Sequence, residues 1–315
     1  MKIARSLIHK GAILSLIGLM ACSPCPPFEP DVQYCVTEKR VQALPTPFSP
    51  LTKNELQQLW GKELYLGSRF ADEADFYRAI TAFKSALFLV PPKELSRKAQ
   101  IEYSIFLCYY LASKYKEAIE VYENSSLPLS TQSFPAYREL LITLYDAYGK
   151  IDCSEKQGHI FELIRQDYPE LADSLSLADA VIQADFCFLN EHTDKPYINQ
   201  LLTEYCFEKK SPEKAGQMQA ILPGAGYYYV GLKNAAVTSF IINSLFIAGT
   251  YQLFHKGYPA FALFTLSLEA GWYFGGINGA QIAANEYNER LYERLSKETL
   301  IKEKLFPVLK LECAF

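Results

Sequence analysis

The chain has 315 residues, enough for about two ordinary domains, each able to bury a core. Half of it is apolar and 21% is charged, which excludes a wholly disordered protein, and a formal net charge of -4 argues against a nucleic-acid binder working through a basic surface. The mean hydropathy of -0.03 is that of a water-soluble protein, but an average can hide a polar half and an apolar half.

Lys2, Arg5 and Lys10 open the chain, and an apolar stretch of ten residues runs from Gly11 to Met20. A basic start before an apolar core too short to span a bilayer predicts a signal peptide over residues 1–21. The segment Leu19-Met20-Ala21-Cys22 resembles the lipobox of bacterial lipoproteins, although Met20 is larger than the residue usual at its position. The resemblance implies cleavage before Cys22 and acylation of its thiol and new amino group. The alternative is an ordinary signal peptide cut near Ala21, with Cys22 and Cys25 left free or paired. Residues 22–50 then read as anchor and spacer, because seven of the 17 prolines fall between Ser23 and Pro50 and favour extended backbone. An oxidising periplasm would let Cys25 and Cys35 pair, which spacing alone does not decide. Cys108, Cys153, Cys187, Cys206 and Cys313 show no C-x-x-C spacing, which argues against a zinc site.

Residues 51–207 carry sustained apolar spacing of three to four residues and predict a helical domain. Leu66, Gly67, Phe70, Ala79, Phe83, Ala86 and Pro91 fall at the spacing of the tetratricopeptide repeat, where small residues let paired helices pack closely. Tyr109, Tyr115, Ala118 and Tyr122 repeat the pattern, and a looser window runs from Tyr137 through Tyr148 to Pro169. The chain therefore resembles tetratricopeptide proteins over roughly residues 55–170, and the part from Tyr77 through Ile119 is similar to the repeats of bacterial outer-membrane assembly lipoproteins. The resemblance implies a stacked solenoid whose concave surface suits extended peptides or helices of a protein partner. The tyrosines divide between core filler and a recognition face, and the sequence does not assign them one by one.

Residues 208–290 are different material. Between Gln217 and Ala284 the only charged residues are Lys233, Lys256 and Glu269. Asn234 to Phe254 and Ala260 to about Ala284 predict two apolar helices joined by a turn at His255 to Pro259, a hairpin of bilayer length with tyrosines at its ends. The alternative is a hairpin buried in a soluble domain, since Asn243, Gln252 and Glu269 are costly in lipid. Gly271, Gly275, Gly279 and Ala283 recur every four residues and are expected to meet Ala235, Ser239 and Asn243 on the first helix. Glu269 is then expected outside that seam, facing a polar cavity, a second subunit or a partner helix, or snorkelling at an interface. Lys210-Ser211-Pro212, then Pro223-Gly224-Ala225-Gly226-Tyr227-Tyr228-Tyr229-Val230-Gly231, then Gly275, Asn278 and Gly279 resemble a family of uncharacterised bacterial membrane proteins carrying K-S-P, P-G-x-G-x-x-Y-x-G and two apolar helices. That likeness implies a membrane-embedded domain with no assigned chemistry. Residues 291–315 read as an amphipathic helix or tail.

No nucleophile, metal or phosphate-loop pattern appears: His9, His159, His192 and His255 are isolated, and Gly224-Ala225-Gly226 lacks the third small residue of a dinucleotide loop. The expectation is an all-α protein, a tetratricopeptide-like solenoid followed by a glycine-rich hairpin, with no catalytic residue, metal or cofactor. It would be a non-enzymatic scaffold of the bacterial envelope, held by lipid and hairpin, with a protein partner on its repeats, no nucleic acid, and self-association through the hairpin left open. The inner membrane is favoured and the outer membrane is the alternative. An outer-membrane assembly accessory with a non-spanning hairpin and a membrane transport or insertion component are the rival functions.

Overall fold

A computed structural model describes residues 28–32 and 44–315, and among these every regular element is a helix. The expected signal peptide, Cys22, Cys25 and Cys35 lie outside the described residues. The described residues fall into two compact units, unit 1 with 28–32 and 182–296, and unit 2 with 44–181 and 297–315.

Unit 2 opens with α1 (Lys53–Gln57), started by a capping box in which Thr52 and Glu55 each accept from the other's backbone N–H. Then come α2 (Leu59–Asp72), α3 (Phe76–Leu89), α4 (Leu95–Leu111), α5 (Tyr115–Glu123), α6 (Tyr137–Lys150), α7 (Ser154–Asp167) and α8 (Pro169–Ile182). Consecutive helices pack on each other from α2 through α7. The turns inside the pairs α2/α3, α4/α5 and α6/α7 are the same structure. Ala74, Ser113 and Asp152, each 39 residues after the last, all sit in the left-handed region with φ of 58°, 58° and 57°. In each turn the next N–H reaches back to close the helix, from Asp75 to Phe70 O, from Lys114 to Tyr109 O and from Cys153 to Tyr148 O. A non-glycine residue costs energy in that conformation, so its recurrence at one register is a structural period.

Buried apolar side chains from α2 through α8 fill the unit, among them Leu64, Phe83, Phe106, Leu140 and Ile164. Two buried polar links join the helices of successive pairs. Tyr110 on α4 donates to Asp146 on α6 at 2.7 Å, and Tyr145 on α6 donates to Asp179 on α8. Arg97 fixes the proline-rich approach to α1 by donating to Ser49 O, Pro50 O and the Glu55 carboxylate. Residues 303–315 do not continue as an amphipathic helix. They leave the helix at Lys304 (φ 52°), make a short 3-10 turn at Pro307–Lys310 and run on extended, with Leu305, Phe306, Val308, Leu309, Leu311, Ala314 and Phe315 buried.

Unit 1 contains α9 (Phe186–Glu191), α10 (Pro196–Glu208), α11 (Pro212–Ile221), α12 (Ala225–Val230), α13 (Lys233–His255) and α14 (Pro259–Lys302), whose last turns, from Lys297, belong to unit 2. Residues 28–32 lie against this unit, with the Phe28 ring beside Phe186, Tyr205 and Tyr292 and Asp31 N donating to Glu293 at 2.9 Å. α13 is long and apolar enough to cross a membrane. It joins α14 through a turn closed by Gly257, and the Thr250 and Thr265 hydroxyls are 3.0 Å apart between the two helices.

Candidate functional site

The K-S-P and glycine block of unit 1 folds into one knot. Ser211 caps α11 by accepting from Lys214 N, and Pro212 occupies the first helical turn, where its missing N–H costs nothing. The Asn288 side chain holds both backbone groups of Lys210, at 2.7 and 2.8 Å. Tyr229 takes the Ser211 N–H on its hydroxyl, and its ring lies 5.3 Å from the ammonium groups of both Lys210 and Lys214. Pro223 follows the end of α11 and leads into Gly224, whose φ is 97°. A Cβ there would stand 2.3 Å from Ala236 O, so both backbone angle and space demand glycine. Gly226 lets α12 approach Ala215 O and Ala280, and Gly279 lies under the Tyr227 hydroxyl. Gly231 ends α12 with the same reach-back bond seen in unit 2, here from Leu232 to Tyr227 O.

The hub of this knot is Gln219, a residue that sequence reasoning passed over because one of two glutamines in a short mixed helix carries no motif. It is buried, donates to Ser239 Oγ on α13 and accepts from Gly224 N, both at 2.9 Å. Tyr273 on α14, also missed, donates to Ala220 O at the end of α11.

The seam between α13 and α14 differs from the expected one. On α13 the buried residues are Ala236, Ser239, Asn243 and Thr250; Ser239 pairs with Gln219 of α11, and Asn243 donates to Ser239 O on its own helix. On α14, Ala262 and Ala280 are buried and Thr265, Tyr273 and Gly276 half-buried; Thr265 meets α13, whereas Tyr273 and Gly276 meet α11 and Ala280 stands beside Gly226 of α12. Gly271 and Gly275 are exposed, and no atom lies within 4 Å of where a Cβ would stand on either. The reason is angular, since a four-residue step advances 400°, so a four-residue stripe turns about 40° per step away from any straight neighbour. Glu269 and Asn278 are both half-buried. Gly271, Gly275 and Gly276 instead line a groove of about 540 Å³ together with Tyr227, Asn234, Ala235, Thr238, Ser239 and Trp272. The outer faces of both helices are apolar and exposed, with Leu245 67%, Tyr251 72%, Phe264 62% and Leu263 57% accessible.

In unit 2, Gly67 packs against the buried Phe83 ring, and Ala79, Ala86 and Ala118 are fully buried. Phe70 is half-buried under the Arg78 guanidinium, 4.7 Å from its centroid. Pro91 is half-buried at the end of α3, Tyr109 accepts from Lys84 Nζ at 2.9 Å, and Tyr122 stands against Phe106. Leu66 is 43% exposed and faces outward. Arg97 holds the Glu55 carboxyl down to about 2, whereas burial pushes the Asp146 and Asp179 carboxyls up. Burial and the neighbouring Glu139 push the Cys313 thiol up to about 12, which leaves it protonated and unreactive at neutral pH. Among the described residues no group of three or more histidine, cysteine and acidic side chains could hold a metal. Comparison with protein-family models, with curated proteins and with solved structures gives no match to this chain.

Proposed function

We propose that the protein is a non-enzymatic scaffold of a bacterial cell envelope, held in a membrane by lipid on Cys22 and by the α13–α14 hairpin, whose tetratricopeptide-like unit 2 holds a protein partner. The observation that carries the membrane part is the outer face of α13 and of the first half of α14. Large apolar side chains cover most of it, while on the inner side Ser239 pairs with Gln219 of α11, the Thr250 and Thr265 hydroxyls meet between the two helices, and Tyr273 donates to Ala220 O. An exterior dominated by large apolar side chains, with Ser239, Thr250, Thr265 and Tyr273 paired on the inner side, is the arrangement that hydrocarbon favours. In water the same surface would be a large apolar patch, which marks a site for lipid or protein. The scaffold part is supported by the recurring left-handed turn and the stacked helix pairs of unit 2, an architecture whose long surfaces serve recognition rather than bond-making.

The test separates the two anchors. A chain in which residues 1–22 are replaced by a cleavable, non-lipidated export signal is expected to stay in the membrane pellet through a carbonate wash. Its release into the supernatant would overturn the hairpin reading and favour an accessory lipoprotein with a non-spanning hairpin.

A further inference from the structure

The surface of unit 2 is already occupied by a piece of its own chain. After α14 closes at Lys304, residues 310–315 cross three helices in the reverse of chain order. On α6, Arg138 donates to Lys310 O at 3.1 Å and pairs with the Glu312 carboxylate at 3.1 Å. Next, Cys313 lies beside Glu139 of α6 and near Tyr103 of α4. Last, the Phe315 ring stacks on Phe83 of α3, centroids 6.4 Å apart and planes 19° apart. Between them, Ala314 N donates to Pro45 O at 3.0 Å. An extended chain advances about 3.3 Å per residue, so five residues cover roughly 16 Å, close to two spacings of packed helices at about 8–10 Å each.

We propose that this surface is a binding groove for an extended segment of a protein partner that carries an acidic residue three positions before an aromatic one, and that residues 310–315 fill it until such a partner displaces them. Two contacts read the pattern. Arg138 fixes backbone and acid together through one guanidinium, which sets the register. Phe83 offers a ring face to the aromatic that follows. The acid is a register mark rather than a clamp, because the Glu312 side chain is 75% exposed and an exposed pair is weak and salt-screened. Release does not require α14 to unwind, since the left-handed residue Lys304 already separates helix from segment. A tethered segment acts at an effective concentration of order 1 mM, so a groove of micromolar affinity is open in only about one molecule in a thousand. The groove is therefore closed at rest, and a partner enters by competition.

The inference rests on the reading of unit 2 as a partner-holding surface. Its test uses the complete protein with Glu312→Arg and Phe315→Ala, which loosen the resident segment, and a fluorescein-labelled peptide of residues 305–315 with Cys313→Ser. Anisotropy is expected to show micromolar binding to the double variant, at least tenfold tighter than to the unaltered protein. A peptide carrying Phe315→Ala should bind at least tenfold more weakly, and one carrying Glu312→Arg about threefold more weakly at low salt. Arg138→Glu in the double variant should reverse the preference towards the Glu312→Arg peptide. A double variant that keeps its helical circular dichroism and takes no peptide, or takes all peptides alike, overturns the proposal. If the double variant loses its helical signal, a protease site after Glu303 in the otherwise unaltered chain gives the answer. Exchange of the severed segment for labelled peptide supports the proposal, and permanent retention or unfolding makes the segment part of the core and overturns it. A protein that still crosslinks to a cellular partner through unit 2 while refusing the peptide loses this inference alone.

Discussion

Gly67→Ala places two opposing effects on one methyl group. The added Cβ would stand 2.5 Å from Cδ1 and 2.6 Å from Cε1 of Phe83, where ordinary contact begins at 3.4 Å, so the ring must withdraw by about 1 Å. It has little room to do so, because Phe83 is fully buried and Phe315 stacks upon it. Forcing such a shift in a packed core costs about 1–3 kcal/mol. Against this, alanine favours a helix interior over glycine by about 1 kcal/mol. The clash wins, and the variant is expected to lose up to about 2 kcal/mol. Unit 2 can be followed by itself through the buried Trp60, in a Trp272→Phe background that silences the tryptophan of unit 1. Urea unfolding read by Trp60 fluorescence should show the midpoint fall. Phe83→Leu, which removes the obstructing ring edge, should make Gly67→Ala harmless or stabilising, so that a double-mutant cycle returns a coupling above about 1 kcal/mol. A midpoint that rises in the single variant, or two changes that simply add, would refute the close approach of α2 and α3.

Three further outcomes follow from buried polar groups and one strained turn. Glu55 is held at about 2 by Arg97, below its ordinary 4.5, so its contribution is full above pH 4.5 and is lost as pH falls towards 2. That contribution is on the order of 2–3 kcal/mol, and Glu55→Gln should flatten this limb of the pH–stability curve read by Trp60. Tyr110→Phe strips the buried Asp146 of its donor and should cost about 1–3 kcal/mol at pH 7. Because burial raises the Asp146 carboxyl, the folded chain holds that proton more tightly, and the loss should shrink as pH is lowered, the opposite sign to Glu55. Gly224→Ala meets both a left-handed backbone, about 1–3 kcal/mol, and the Ala236 carbonyl oxygen, which cannot rotate away. It should raise limited proteolysis at the α11–α12 junction in detergent while leaving the Trp60 transition unchanged.

What the sequence made legible depends on whether a feature is local or relational. The packing residues Gly67, Ala79, Ala86 and Ala118 were readable because a stacked helix pair tolerates only small groups at fixed positions, and that constraint is written in residue size alone. The glycines at 224, 226 and 231 were readable for the same reason, each answering a local demand for space or a positive φ. Gln219 was invisible because its importance lies in two partners distant in kind, a serine hydroxyl on another helix and a backbone N–H five residues on. Gly271 and Gly275 read as a contact face because four-residue spacing holds small residues nearly in line, yet an open groove separates them from Ala235 and Ser239. The inner residues of α14 are shared among three helices, Thr265 meeting α13, Tyr273 and Gly276 meeting α11, and Ala280 meeting Gly226 of α12. Residue size announces that something comes close but not which helix it belongs to. The partner is fixed instead by polar pairing, since Gln219 to Ser239 and Tyr273 to Ala220 O tie α11 to both long helices.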